Sequence, residues 1–598
     1  MRTVIYLRIY FLATLSLSIT ATAAESLADS VYERGFVYTV DAKDSVHSAL
    51  AVRDGKIIYV GNDAGVKKYK GRSTQVIDLK GRMLMPGLVD GHMHPLQGGA
   101  HLLQCNLQYE ALTIEQFQSK IQACLDKTHD QEPDGWLDVV GWFQTNMLPA
   151  GVATTYATLD ALKTQRPIVV ESSFGHTVLA NSRAIRLANI TAATPDPLGG
   201  KIARDAAGNP TGIFEDASFH PLLALVPRPT VADDLAAARA TLGVLAKQGI
   251  TTFLDATGTP EAMAAYTALS REGLLTVRAH FAPVISPVDG RDPLKAIAAV
   301  KELAVRYDQG PVVVKPGITV RNTKLFLDGV ITAPAFTGAM LAPYWINKGT
   351  DAHPQWGPGS NRGPDVYFPA PLLSTLVIGL GEAGLEPHMH ADGDGAVRAG
   401  LDAFETLRRK HPELDVRAAI AHDEIVDPAD FPRYAALNVI PVLSLQWGKP
   451  ASDTIDSARD FLGPARFRLL EPSGFLHAAG ARIAYGSDWP VDALDEWFAL
   501  KVGVTRTNAP EAGPKYAGRL GDDVGLSRKT VLRAITMNSS YQLHQDAQTG
   551  SLEVGKFADM IVIDRNFMKV LPEDIAKIKV LRTVVGGRTV YAADMTRN

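Results

Sequence analysis

The segment Pro86–Pro95, with the sequence PGLVDGHMHP, begins with a turn and continues as an apolar run that ends in two histidines. Side chains alternate between the two faces of a β-strand, so His92 and His94 point to the same side. Two imidazoles on one side of a strand end can bind a single metal ion. The segment therefore predicts a strand that carries part of a metal site at its carboxyl end.

Outward from this strand, apolar runs alternate with helical patterns such as Ala232–Gln248, Pro293–Tyr307 and Arg528–Leu543. This alternation indicates an α/β fold, a (β/α)₈ TIM barrel with parallel strands. The candidate strands are Val89–His94, Ile168–Ser172, Thr251–Ala256, Val277–Pro283, Thr323–Asp328, Pro387–Ala391, Ala419–His422, Ile440–Leu445 and Ile483–Asp488. These are one more than a barrel of eight needs, so at least one is wrong or belongs to an insertion.

The two ends of the chain have a β character. Short runs rich in β-branched residues, such as Lys56–Gly61 after the Asp54-Gly55 turn, fill the region before residue 86, and Asp559–Asp564 resembles them near the C-terminus. Neither end has enough strands for its own core, so we expect 25–86 and 546–598 to form one small β-sandwich. The barrel then spans 87–545, with an insertion at about 95–245 that covers its mouth.

Composition narrows the class of protein. The chain has 598 residues, of which 46% are hydrophobic and 21% charged, values typical of globular proteins. A formal net charge of −4 leaves no basic surface for nucleic acid. We expect a small-molecule substrate as the partner and leave a homo-oligomer open.

The N-terminus has the pattern of a signal peptide. Arg2 and Arg8 form a short positive region, and Ile9–Ile19 is mostly apolar. Ala21-Thr22-Ala23 then has small residues at the positions expected for cleavage. We expect residues 1–24 to be removed and the mature protein to be periplasmic or secreted, without stable membrane insertion. The alternative is an uncleaved anchor, although the apolar run is shorter than the roughly 20 residues that a membrane span needs.

The chain has two cysteines, Cys105 and Cys124. In an oxidising compartment they can close a short disulfide loop. The alternative is a pair of free thiols, one of them on the buried face of a helix.

Four further residues, Lys324, His390, His422 and Asp488, follow on or near later apolar runs. In this order the residues resemble the pattern of the amidohydrolase superfamily, and the resemblance covers nearly the whole mature chain. Finer motifs resemble the YtcJ-like branch that contains N-substituted formamide deformylase. These motifs are SFGH at 173–176, KLFLDG at 324–329, HADGD at 390–394 and SDWP at 487–490.

The resemblance implies six metal ligands: His92, His94, Lys324, His390, His422 and Asp488. His92 and His94 would bind the more buried ion, and Asp488 would also act as the general base. Lys324 would be a carboxylated lysine that bridges two metals. The cofactor is expected to be one or two divalent ions, and neutral imidazole suits Zn²⁺.

Other residues are candidates for substrate binding. His388 shares a strand face with His390, and His176 is either a hydrogen-bond donor to the substrate or a structural loop residue. Trp142 and Trp489, together with Phe143 and Trp447, either line an apolar substrate pocket or pack in the core.

The function that follows is a metal-dependent amidohydrolase, in which metal-activated water hydrolyses the C–N bond of an N-substituted amide or formamide. One alternative is an esterase, lactonase or cyclic amidase that uses the same site. Another is an inactive secreted protein that binds metal or ligand, although the intact Asp488 argues against it.

Overall fold

The computed structural model describes residues 27–128, 135–149, 151–173, 175, 177–197 and 200–593. The predicted signal peptide, residues 1–24, lies outside this part of the chain. Within the described ranges, no helix has the length and apolar character needed to cross a membrane. The described chain has a mixed α/β fold with six sheets.

Eight parallel strands form the centre of the molecule. We number them β1 Leu88–Met93, β2 Ile250–Asp255, β3 Arg278–Phe281, β4 Asn322–Phe326, β5 Glu386–Ala391, β6 Ala419–His422, β7 Ile440–Leu443 and β8 Ala484–Tyr485. The short strand Ile318–Thr319 pairs with β3, and β3, β2 and β1 follow in that sheet. Strands β4 to β8 lie in chain order in a second sheet.

Helices connect these parallel strands, as the alternating pattern predicts. They include Pro95–Leu103, Val231–Gln248, Pro260–Arg271, Pro293–Tyr307, Ala370–Glu382, Asp394–Lys410, Phe431–Leu437, Ser473–Ala478, Glu496–Thr505 and Arg528–Arg533. The strands are apolar because helices cover them, and all six residues of β1 are buried. The polar side chains Asp90 and His92 are therefore buried within β1 together with its apolar residues.

Strand pairing among the described residues does not close the two parallel sheets into one ring. Backbone hydrogen bonds nevertheless join their edges at both seams. At one seam, Lys324 N donates to Pro283 O over 3.0 Å. At the other, His94 N donates to Trp489 O over 2.7 Å and Asp488 N to His92 O over 2.8 Å. The seams therefore join the third strand to the fourth and the eighth strand to the first.

A six-stranded sheet between β1 and β2 carries most of the predicted insertion. Its strands, in spatial order, are Gly200–Arg204, Pro210–Asp216, Thr177–Ala180, Ile168–Ser172, Leu137–Trp142 and Cys105–Asn106. Ile168–Ser172, one of the nine strands expected in the barrel, therefore belongs here, and the other eight form the parallel sheets. A disulfide joins Cys105 to Cys124 on helix Ile114–Thr128, which selects the first of the two cysteine alternatives.

Strands from both chain ends share a second six-stranded sheet. Its order is Arg588–Ala592, Val580–Val585, Met560–Ile563, Met83–Pro86, Phe36–Tyr38 and Val46–His47. A four-stranded sheet of Lys56–Gly61, Ala49–Arg53, Ser30–Glu33 and Gln75–Asp78 packs against it through a shared apolar cluster that includes Leu50 and Leu84. A buried ion pair between Arg278 and Asp559, 2.6 Å long, joins this sheet to β3.

Candidate metal centre

Asp488 lies directly beside the two histidines of the first strand. Its Oδ1 atom is 3.0 Å from Nε2 of His94 and 3.3 Å from Nε2 of His92. Within the described structure, this buried oxygen has no hydrogen-bond partner. A carboxylate oxygen that faces imidazole nitrogens without a hydrogen bond is a donor set that fits a divalent cation.

The remaining predicted ligands lie on the same side. Nζ of Lys324 is 3.3 Å from Nε2 of His92. Two groups of possible ligands have their donor atoms within 4.8 Å of one another: His92, His422 and Asp488, and His390, Asp392 and His422. Because both groups contain His422, the arrangement fits two neighbouring ions, and Asp392 joins the six residues predicted from the sequence.

Burial controls the protonation of these groups. It lowers the pKa of Lys324 to about 7, against the nearby charges of Asp488 and Asp392. Burial, followed by repulsion from neighbouring cationic groups that include Lys324, also holds the pKa of His92 and His422 well below the ordinary value. The imidazoles are therefore neutral and the lysine can lose its proton near neutral pH, which are the states that bind metal.

Three of the four histidines predicted as ligands have a polar group or another imidazole behind the ring. Nδ1 of His92 contacts Nε2 of His388 over 2.7 Å, and Nδ1 of His94 contacts Oγ1 of Thr257 over 3.1 Å. Nδ1 of His390 lies 3.3 Å from Oδ1 of Asp328. Such contacts fix the ring orientation and the protonated nitrogen of a metal-binding histidine.

Residues at the ends of two strands, among them two predicted ligands, have unusual backbone angles. His422, Asp423 and Asp488 have φ values of +80°, +53° and +55°, in the left-handed region that side chains other than glycine rarely occupy. Oδ1 of Asp90 stabilises the last of these turns by accepting hydrogen bonds from His92 N and Ser487 N, each 3.1 Å long. The strain at these ends turns the ligand side chains toward one point.

A cavity of about 240 Å³ opens over the ligands. Besides the metal-site residues, its lining includes Phe326, Val330, Thr332, Glu424, Trp447, Asp453, Thr454, Ala458, Leu470, Glu471 and Val491. Trp447 stacks on His422 with the ring centroids 5.5 Å apart. The cavity is the place where a small substrate can reach the metal ligands.

Several residues predicted to contact substrate lie elsewhere. Trp142 is buried in the core of the insertion, where its ring lies 6.0 Å from that of Phe117. The ring of Trp489 packs against Gly98 on the first helix, and neither tryptophan lines the cavity. Packing in the core, the alternative noted for these tryptophans, describes both positions.

The other two residues predicted to contact the substrate are His388 and His176. His388 is fully buried behind His92 and does not reach the cavity, because the strand turns it toward Gln542 instead. We correct its role to that of a residue that positions His92. His176 lies outside the described residues.

The cavity is also lined by three carboxylates that no sequence motif indicated: Glu424, Asp453 and Glu471. Glu424 stands two positions after His422, which is a weak signal for a residue near the site. Asp453 and Glu471 come from the long segment between β7 and β8, where no periodic pattern indicates which side chains face inward. Their position depends on how that segment folds over the strand ends.

Comparison with known proteins agrees with this geometry. The chain is 27% identical over 566 residues to the putative amidohydrolase YtcJ of Bacillus subtilis, covering 94% of this chain and 99% of the relative. It is 25% identical over 569 residues to N-substituted formamide deformylase of Arthrobacter pascens, covering 93% and 97%. The crystal structure of an uncharacterized metal-dependent hydrolase from Pyrococcus horikoshii shares the fold, with a TM-score of 0.68 at 22% identity over 91% of this chain and 99% of that one.

A cluster of imidazoles, a lysine and a buried aspartate at the carboxyl ends of parallel strands is the arrangement of a metal-dependent hydrolase. The chain belongs to the amidohydrolase family, whose model matches residues 75–591. It is thus an enzyme of the hydrolase class that acts on carbon–nitrogen bonds. The family resemblance seen in the motifs is confirmed, and the relatives include the two proteins of the predicted branch.

Proposed function

We propose that this enzyme hydrolyses the C–N bond of an N-substituted amide or formamide with the aid of a divalent metal. The observation that carries the proposal is the buried Oδ1 atom of Asp488, which lies beside His92 and His94 at the base of the cavity. The relative from Arthrobacter pascens is an N-substituted formamide deformylase, which favours this substrate class over others.

The metal ligands in this proposal are His92, His94, Lys324, His390, His422 and Asp488, and neutral imidazoles beside carboxylates favour zinc. When bound, a zinc ion would lower the pKa of water to about 7 and would polarise the carbonyl oxygen of the substrate. Two ligand groups that share His422 support a site for two ions rather than one.

Asp488 moves the proton in this reaction. Burial raises the pKa of the carboxyl group, but the nearby His94 and His422 have the larger combined effect and hold the pKa below its ordinary value, so the group is ionised at neutral pH. It accepts a proton from the attacking water as the new C–O bond forms, and returns that proton to the leaving nitrogen as the C–N bond breaks. The products are a carboxylic acid, or formic acid from a formamide, and an amine.

Lys324 is proposed to carry a carbamate. Its amine is fully buried and its pKa is lowered to about 7, so a neutral amine is available to add carbon dioxide. A carbamate has two oxygens and a negative charge, and it can bridge two cations. This modification would also relieve the energetic cost of placing an amine beside His92.

The finer architecture is proposed in the same way. We infer that the two parallel sheets act as one (β/α)₈ barrel over 87–545, with the insertion at about 95–245. The segments 25–86 and 546–598 would form one β-sandwich. The Cys105–Cys124 disulfide supports export to an oxidising compartment. Cleavage of residues 1–24 can be tested by measuring the mass of the mature chain in a periplasmic or secreted fraction.

The experiment that tests the function combines metal analysis with a substrate panel. The purified enzyme should contain divalent metal and hydrolyse linear N-substituted formamides or amides faster than esters, lactones or cyclic amides. Asp488→Asn should lower kcat by about 10²-fold or more, because the general base is lost. An enzyme that hydrolyses only esters or lactones, or an Asp488→Asn variant with full activity, would refute the proposal.

A further inference from the structure

Three carboxylates line the cavity in addition to the predicted metal ligands and Asp392. They are Glu424, Asp453 and Glu471, and we refer to them as the cavity carboxylates. Among the described residues that line the cavity, Lys324 is the only one with an amine or guanidinium group, and it belongs to the metal site. The cavity therefore has more carboxyl groups than the metal chemistry requires.

Two of the cavity carboxylates have oxygens without a partner among the described residues. Glu471 has only 6% of its surface exposed, and its side chain forms no hydrogen bond or ion pair with any described residue. Oδ1 of Asp453 is also buried without a hydrogen-bond partner among them. A buried carboxylate without a partner is costly, so its presence at a cavity wall indicates that a ligand supplies the partner.

Neighbouring cations among the described residues form no ion pair with the cavity carboxylates. Arg506 donates its hydrogen bonds to backbone carbonyls, including that of Leu470 over 2.8 Å, and Nζ of Lys449 donates to Gln446 O over 2.8 Å. Their charges favour ionisation of Glu471, but burial has the larger effect and raises the pKa of that carboxyl group to about 8. A positive ligand group beside Glu471 would form the ion pair that neither Arg506 nor Lys449 forms, and it would favour the ionised carboxylate.

The arrangement fits an organic cation better than another metal ion. In the described structure, the cavity carboxylates are not among the groups whose donor atoms lie within 4.8 Å of one another. The rings of Trp447 and Phe326 line the same cavity, and aromatic faces attract ammonium and guanidinium groups. Spread carboxylates with aromatic neighbours are suited to a larger, less strongly hydrated cation.

We propose that the substrate of this enzyme carries an ammonium or guanidinium group, which the cavity carboxylates bind while its amide group lies against the metal ligands. This inference rests on the proposed amide hydrolysis and narrows its substrate class. Of the tryptophans considered as pocket residues, Trp447 lines the cavity, whereas Trp142 and Trp489 do not.

Two amides of matched shape test the inference on the metal-loaded enzyme. N-(4-aminobutyl)formamide carries a charged tail, and N-pentylformamide has a neutral tail of the same length. We expect kcat/KM for the charged amide to exceed that for the neutral one at least tenfold. Glu471→Gln should reduce this ratio by about tenfold or more, whereas Glu413→Gln, which removes an exposed carboxylate elsewhere, should leave it unchanged.

A binding measurement gives a result even without turnover. Calorimetry compares benzyltrimethylammonium with the neutral benzyl alcohol on the metal-loaded wild type and on Glu471→Gln. The expected outcome is tighter binding of the cation by the wild type and loss of that preference in the variant. Should Glu471→Gln fail to fold, Asp453→Asn provides the same comparison.

The outcomes separate the two proposals. Hydrolysis of formamides with equal kcat/KM for both tails would overturn the cation site and leave the proposed function intact. No hydrolysis of any amide, together with binding of benzyltrimethylammonium that depends on Glu471, would overturn the function and support the cation site. Equal binding of both probes by the wild type would overturn the cation site in either case.

Discussion

Nε2 of His388 lies 2.7 Å from Nδ1 of His92, behind the metal ligands and away from the cavity. Nε2 of Gln542, which donates to Gly91 O over 2.9 Å, approaches the other ring nitrogen of His388 at 3.5 Å. The contact between the two histidines leaves Nε2 of His92 facing Asp488 and Lys324. His388, which does not line the cavity, therefore contacts the ring nitrogen of His92 that faces away from Asp488 and Lys324.

Replacing His388 should weaken metal binding. In His388→Ala the ring of His92 loses its partner, and we expect metal affinity to fall about 10- to 100-fold, as for other residues that orient metal ligands. Competition with a chelator measures the change. His353→Ala, at an exposed histidine, is the control, and equal affinity of the two variants would contradict the positioning role.

Lys324 should make the stability of the metal-free enzyme depend on pH. Burial lowers its pKa from 10.5 to about 7, so between these values the unfolded chain binds a proton that the folded chain does not. Stability from this group therefore rises with pH over that window. Lys324→Met should melt at a higher temperature than the wild type at pH 7, and the difference should shrink by pH 10. A constant difference between thermal scans at the two pH values would show that Lys324 is charged when buried.

Gly99 should be required for the position of His94. It lies on helix Pro95–Leu103, and a Cβ there would come within 2.1 Å of Ala237 O on helix Val231–Gln248. Gly99→Ala should displace the helix that follows His94, destabilise the enzyme by about 1–3 kcal/mol and weaken metal binding.

A second glycine provides the matched control. Gly243 lies on helix Val231–Gln248, and nothing is within 4 Å of a Cβ added there. Gly243→Ala should stabilise the enzyme by about 0.5–1 kcal/mol, because alanine has the higher helix propensity. Denaturant unfolding and chelator competition on both variants check the pair, and the same behaviour from both would disprove the steric argument.

The disulfide should stabilise the insertion without affecting the site. Cys105 and Cys124 are 19 positions apart, and closing a loop of this size is worth about 3 kcal/mol. Replacing both cysteines with serine should lower the stability of the insertion by about that amount, measured by denaturant unfolding. Metal content and kcat should be unchanged, since neither residue lines the cavity.

Much of the fold could be predicted because it depends on residues that are close together in the sequence. Strand alternation places His92 and His94 on one face, and the order of apolar runs and helices predicts all eight parallel strands. The family motifs predict the ligands that the structure brings together, and the family itself is confirmed. Their roles in metal binding and catalysis stay predictions until they are tested.

The surroundings of the ligands could not be predicted in the same way. His388 shares a strand face with His390 by alternation, yet its ring contacts His92 on β1, a strand of the other parallel sheet. Trp142 and Trp489 pack in cores instead of lining the cavity. Asp453 and Glu471, from the irregular segment between β7 and β8, do line it. Local patterns are encoded by nearby residues, whereas the side of a cavity that a residue faces depends on contacts between distant segments, which only the folded chain establishes.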